Sequence, residues 1–124
     1  MKMSKIESAM RTVLAFNDAF NRHDIQGMVK LVSDDFRCED HSPAPEGHVL
    51  AGKDEAAQYW QGLFQTSPGA RKEIEEIFGL GERCVMRWRM SGLGPEGALA
   101  NVRGADIFRV RERTIREQLS YVKS

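Results

Sequence analysis

Two aspartates stand where a strand pattern calls for apolar side chains. Across residues 36–41 the alternation puts Phe36, Cys38 and Asp40 on one face, with Arg37, Glu39 and His41 on the other. In the run Gly104-Ala105-Asp106-Ile107-Phe108, Asp106 shares a face with Val102, Gly104, Phe108 and Val110. Aspartate is disfavoured in strands, and an ionised carboxylate is costly to bury without partners. A carboxyl group in an apolar site is harder to ionise, which suits a general base or acid working near neutral pH. Two such groups in one cavity push their ionisations apart, so that one stays protonated while the other is charged. Each also has a plainer reading. Asp40 can cap the loop that begins at Ser42, and Asp106 can pair with an arginine of a neighbouring strand.

Other reactive side chains carry weaker signals. His41 and His48, with Glu46 between them, match no zinc spacing, and Pro43 and Pro45 make the segment a loop. No metal site is expected, and His41 is read as an auxiliary acid or base over the cavity mouth. His23 sits beside a helix cap and is expected to face solvent. Phe16, Phe20, Trp60, Phe64, Trp88 and Phe108 fall at periodic positions, which marks them as core and as candidate lining of a ligand pocket. No serine or cysteine has a nucleophile setting. No glycine-rich loop follows a strand to seat phosphate, so no cofactor is expected.

The elements that must position these groups come in a telling order. Ser4 and Glu7 form a capping box ahead of Ile6, Met10, Val13, Phe16 and Phe20, the stripe of a helix of about 17 residues. Asp24 caps a shorter helix carrying Ile25, Met28, Val29, Leu31 and Val32. Ser33-Asp34-Asp35 reads as a turn, 36–41 as a strand, 42–52 as a loop and 53–66 as a third helix. The remainder reads as strands over 73–78, 83–90, 102–110 and 115–122, with glycine-rich connections at 79–82 and 91–99. Helices first and adjacent strands after predict an α+β domain spanning 1–124, its helices packed on one face of a curved antiparallel sheet. A sheet so closed makes a cup in which a small ligand can bind.

Composition excludes several classes. The chain has 124 residues, of which 41% are hydrophobic and 29% charged, and it holds 18 basic and 18 acidic side chains. Neutral overall charge argues against a nucleic-acid binder. No apolar run approaches the roughly 18 residues of a membrane span, and Met1–Glu7 has no uninterrupted apolar stretch of the signal-peptide kind. Two cysteines, Cys38 and Cys84, are too few for a disulfide framework. A soluble, cytoplasmic domain is expected. The basic residues of the second half, mostly in predicted strands, are read as an outward arginine ladder.

Several segments together resemble a known family. Phe16-Asn17-Asp18-Ala19-Phe20-Asn21-Arg22-His23-Asp24, then Leu31-Val32-Ser33-Asp34-Asp35-Phe36-Arg37-Cys38-Glu39-Asp40, is similar to the opening of SnoaL-like and ketosteroid isomerase-like proteins. The run Gly104-Ala105-Asp106-Ile107-Phe108-Arg109-Val110, followed by Ile115 and Glu117, resembles their later strands. Both groups belong to the nuclear transport factor 2-like superfamily, and the resemblance implies a cone-shaped α+β barrel. It implies that Asp40, in Glu39-Asp40-His41, is the general base of an isomerase. It implies that Asp106 donates a hydrogen bond to the substrate oxyanion, or serves as the acid/base of a polyketide cyclase. The isomerase tyrosine of the first helix is replaced by Phe16, and the cyclase histidine has no counterpart in Arg89-Met90-Ser91-Gly92.

The function so implied is cofactor-independent acid/base catalysis on a small hydrophobic carbonyl compound. A non-catalytic ligand-binding or interaction module is the alternative, since one fold hosts many functions. An epoxide hydrolase using Arg89 or Arg103 ranks third. The resemblance further implies a homodimer formed through the outer sheet face, with Val85, Ile107, Leu119 and Tyr121 as candidate contacts.

Overall fold

The structure is a computed structural model that describes residues 4–40, 47–97 and 102–123. Helix α1 (Lys5–Asn21) begins where the Ser4 hydroxyl accepts the Glu7 amide at 3.1 Å. It buries Val13, Phe16 and Phe20 along one stripe. Helix α2 (Ile25–Lys30) starts at Asp24, whose carboxylate accepts the Gly27 amide at 3.0 Å. A Cβ on Gly27 would lie 2.5 Å from that carboxylate, so a larger residue there would push the capping side chain aside.

Six strands follow the first two helices, with α3 (Gly52–Thr66) between the second and third. They are β1 (Val32–Asp40), β2 (His48–Ala51), β3 (Arg71–Leu80), β4 (Arg83–Ser91), β5 (Val102–Arg111) and β6 (Thr114–Val122). They form one sheet in the order β2-β1-β6-β5-β4-β3, antiparallel throughout except for the parallel pair β1–β6. Helix α1 lies across β3, β4 and β5, while α3 covers β1 and β2. The core fills the space between, with edge-on aromatic pairs Phe16–Trp60, Phe16–Phe108 and Phe20–Phe64 at centroid distances of 5.6, 6.2 and 5.1 Å. This is the α+β architecture expected from the order of elements.

Three local expectations need correction. Ser33-Asp34-Asp35 is not a separate turn but lies within β1, where the register against β6 slips between Val32 and Arg37. The irregularity was legible; its absorption into a bulged strand was not. The segment 42–52 is not all loop, because 48–51 pairs with 37–40 as β2 and raises the strand count to six. His23 does not face solvent freely: its ring stacks on Phe64 at 4.1 Å and 9°, with Nε2 2.7 Å from the Ala70 carbonyl. Its φ of 55°, in the turn between the two helices, swings the side chain inward.

The arginine ladder is where it was expected. Arg83, Arg87 and Arg111 point outward and pair with Glu117, Glu76 and Glu82 at 2.9, 3.0 and 3.1 Å.

Candidate functional site

Strand alternation brings Asp40 to the concave side. Phe36 and Cys38 precede it on the same face and are buried, while Asp40 ends the strand half-buried on the wall of a cavity of about 360 Å³. Register fixes its neighbours. Asp40 lies beside Ser120 of β6, and Ser120 lies beside Asp106 of β5. The two aspartates therefore occupy one row of the sheet, two strand spacings or roughly 10 Å apart.

Their surroundings differ. The Tyr59 hydroxyl of α3 donates to Asp40 Oδ2 at 3.4 Å, and the ring of His48, opposite Asp40 in β2, lies 5.1 Å from the Tyr59 ring. Burial, then the Asp40 charge, holds the Tyr59 phenol well above the ordinary tyrosine range, so it stays a donor. Asp106 is fully buried and does not line the cavity. Its Oδ2 accepts from the Gln118 amide at 3.0 Å and from the Lys72 ammonium at 3.4 Å; Oδ1 has no hydrogen-bond partner among the described residues. The counter-charge to Asp106 is thus a lysine of β3, not an arginine of an adjoining strand.

Lys72 is one candidate site residue that the sequence reading missed. It is buried, lines the cavity, and holds Nζ 4.9 Å from the Phe20 ring centre and 4.8 Å from that of Trp88. Two asparagines of α1 pin its main chain. The Asn17 and Asn21 amides donate to the Lys72 carbonyl at 3.1 and 2.9 Å, and the Lys72 N–H donates to Asn21 Oδ1 at 2.7 Å. The strand expected from the sequence starts at residue 73. Carrying its alternation back from Ile74 would have put Lys72 on the inner face. Gln118 and Tyr59 were also missed, and both line the same cavity.

Of the six aromatic residues read as pocket lining, Phe16, Phe20, Trp60 and Trp88 line the cavity. Phe64 and Phe108 are buried in the core but are not part of the cavity wall. His41 and Glu46 lie outside the described residues, and no group of three potential metal ligands occurs among those described. Arg89 and Arg103 both reach Glu75, at 3.5 and 3.4 Å, away from Asp106, so the arrangement sought for an epoxide hydrolase is not assembled.

Cys38, the cavity thiol, is pushed up to about 12 by burial and then by the charges of Asp106 and Asp40, with Lys72 opposing. It is therefore a neutral thiol and not a nucleophile at physiological pH. The cavity wall combines one carboxylate, one ammonium and a phenol with an aromatic and aliphatic surround, a setting for moving a proton on an apolar ligand.

The family model of the SnoaL-like domain matches residues 13–118. The chain belongs to the SnoaL-like family. A nuclear transport factor 2-like protein of unknown function from Mesorhizobium loti is 32% identical, with a TM-score of 0.83 over 100% of this chain and 98% of that one. A candidate SnoaL-like polyketide cyclase from Jannaschia sp. CCS1 is 17% identical, with a TM-score of 0.83 over 99% and 90% of the two chains. A candidate ketosteroid isomerase from Kribbella flavida is 11% identical, with a TM-score of 0.83 over 99% and 83%. At those last two identities the likeness is one of fold. No curated protein matches the chain. The cone-shaped α+β fold of the superfamily is thus the fold of this SnoaL-like domain, and none of its described helices is long and apolar enough to cross a membrane.

Proposed function

We propose that this SnoaL-like domain is a cofactor-independent acid/base catalyst, of isomerase or cyclase type, for a small hydrophobic carbonyl compound. The observation that carries the reading is the Asp40 carboxylate on the wall of a largely apolar cavity. Asp40 takes a proton from the carbon next to the carbonyl. The C–H bond breaks, an O–H bond forms on Asp40, and the electron pair moves onto the carbonyl oxygen as an enolate. Returning the proton to a conjugated carbon gives isomerisation. Attack of the enolate carbon on a second carbonyl of the same molecule gives ring closure. Tyr59, donating to Asp40 Oδ2, orients the carboxylate. The proposal includes a homodimer through the outer face, where Val85, Ile107 and Leu119 adjoin across β4, β5 and β6, with Tyr121 two residues along.

Deuterium exchange into 2-tetralone and conversion of cyclohex-3-enone to cyclohex-2-enone test the chemistry. The wild-type domain accelerates one or both, and Asp40→Asn loses about 10²–10⁴ of that rate while ketone binding, read by tryptophan fluorescence, persists. A ketone that binds but reacts no faster with wild type than with Asp40→Asn would refute catalysis and leave a binding module.

A further inference from the structure

We infer that Lys72 holds the anionic oxygen of the ligand, and that Asp106 is a positioning residue acting through it; this rests on the cavity being the ligand site. Proton abstraction by Asp40 carries a negative charge from that carboxylate to the ligand oxygen. In an apolar cavity the displaced charge needs a cation or strong donors within reach.

Among the described residues, the one ammonium on the cavity wall is that of Lys72. It has three N–H donors, and its hydrogen-bond acceptor is Asp106 Oδ2 at 3.4 Å. The faces of Phe20 and Trp88, near 4.9 and 4.8 Å, favour the charge but take no directed hydrogen bond. Among the described residues donors are left over, in a group that is itself buried and borders the ligand space.

Asp106, fixed in turn by Gln118, pairs with the amine and anchors it before ligand arrives. The asparagines of α1 fix the lysine main chain from the other side. Such prior orientation makes the cation effective, because no reorganisation is left for the moment of reaction. The matching ligand is a flat hydrocarbon bearing one oxygen that becomes anionic: an enolate, or a phenolate of like shape.

2-Naphthol is a probe of that class, with naphthalene as its oxygen-free control, and about 360 Å³ accommodates either. The background is Asp40→Asn, whose neutral amide mimics the protonated base in shape and charge. Bound naphthol, followed by its absorbance against pH, should ionise at least about one pH unit below free naphthol, a tenfold preference for the anion.

Removing the lysine alone would strand Asp106, so the comparison protein adds K72M and D106N together to Asp40→Asn. In it the shift should vanish while naphthalene affinity stays within about threefold (under 1 kcal/mol). Naphthol that fails to bind, that ionises at its free pH, or whose shift survives loss of Lys72 would overturn the inference. A naphthol shift without ketone exchange sinks only proton abstraction by Asp40. Exchange without a naphthol shift sinks only the role of Lys72.

Discussion

Substitution of Lys72 by methionine should cost far more stability than its single ion pair suggests on a surface. Asp106 is 0% exposed, and Lys72 and Gln118 are the donors to its carboxylate. Over 3.4 Å, a charge pair at an effective dielectric of about 20 attracts by roughly 5 kcal/mol. In the folded protein that attraction offsets the desolvation of both ions. K72M removes it and leaves a carboxylate with no route to water, a situation that costs about 3–5 kcal/mol. D106N should cost about half as much. The stranded ammonium borders the cavity, where water can reach it, and it keeps two aromatic faces. The double substitution removes both charges and keeps an oxygen to accept from Gln118, but it leaves the new amide NH2 unpaired at a cost of about 1–3 kcal/mol, so it should cost less than K72M alone. Urea unfolding of the four proteins, with m-values checked for constancy, gives the cycle. K72M within about 1 kcal/mol of wild type, or a double variant equal to the sum of the singles, would refute the claim that the two residues form one buried unit.

Two further outcomes follow from packing and ionisation. Gly104→Ala would drive a Cβ into the Trp88 ring, 2.7 Å from Cη2, and to 2.5 Å from the Tyr121 carbonyl. Neither neighbour can yield freely, so the variant should lose about 1–3 kcal/mol and shift the tryptophan emission; an unchanged melting temperature would contradict the packing. With Cys38 held up to about 12 and Cys84 to about 11, chiefly by burial in each case, native protein at pH 8 should resist thiol labelling until it unfolds. The unfolded chain ionises these thiols first, so the stability they confer is complete below about pH 9 and declines as pH rises towards 12. Rapid labelling of native Cys38 at pH 8 would contradict its burial.

The inward faces of β1, β4 and β5 were legible because alternation holds without interruption over Phe36, Cys38 and Asp40, over Cys84, Met86 and Trp88, and over Asp106, Phe108 and Val110. β2 was hidden because its four residues follow a proline-bearing segment, and only pairing with 37–40 makes them a strand. Lys72 was hidden for a different reason. A lysine at a strand start reads as an exposed end, and nothing local announces that Asn17 and Asn21, more than 50 residues earlier, fasten its backbone to a helix. The role of Asp106 depended on that missing partner. Its burial could be read from its neighbours in sequence, but the identity of its counter-charge could not.

One row of the sheet thus gives its two acids opposite duties. Asp40 closes a strand at the cavity wall, where a carboxylate can meet a ligand, with a phenol donor at 3.4 Å. Asp106 sits mid-strand, flanked on its own face by Gly104 and the fully buried Phe108, where a carboxylate persists only if the fold supplies a cation. β3, at the far edge of the sheet, supplies it by turning Lys72 inward, and α1 holds it there. The resulting pair is neutral as a unit, so the cavity can present an ammonium without accumulating net positive charge. Under the proposed function, the Asp40 charge is then the one that proton transfer moves. In the proposed mechanism, a base at one wall and a fixed cation at another make the direction of that movement, from Asp40 towards Lys72, a property of strand register before any ligand binds.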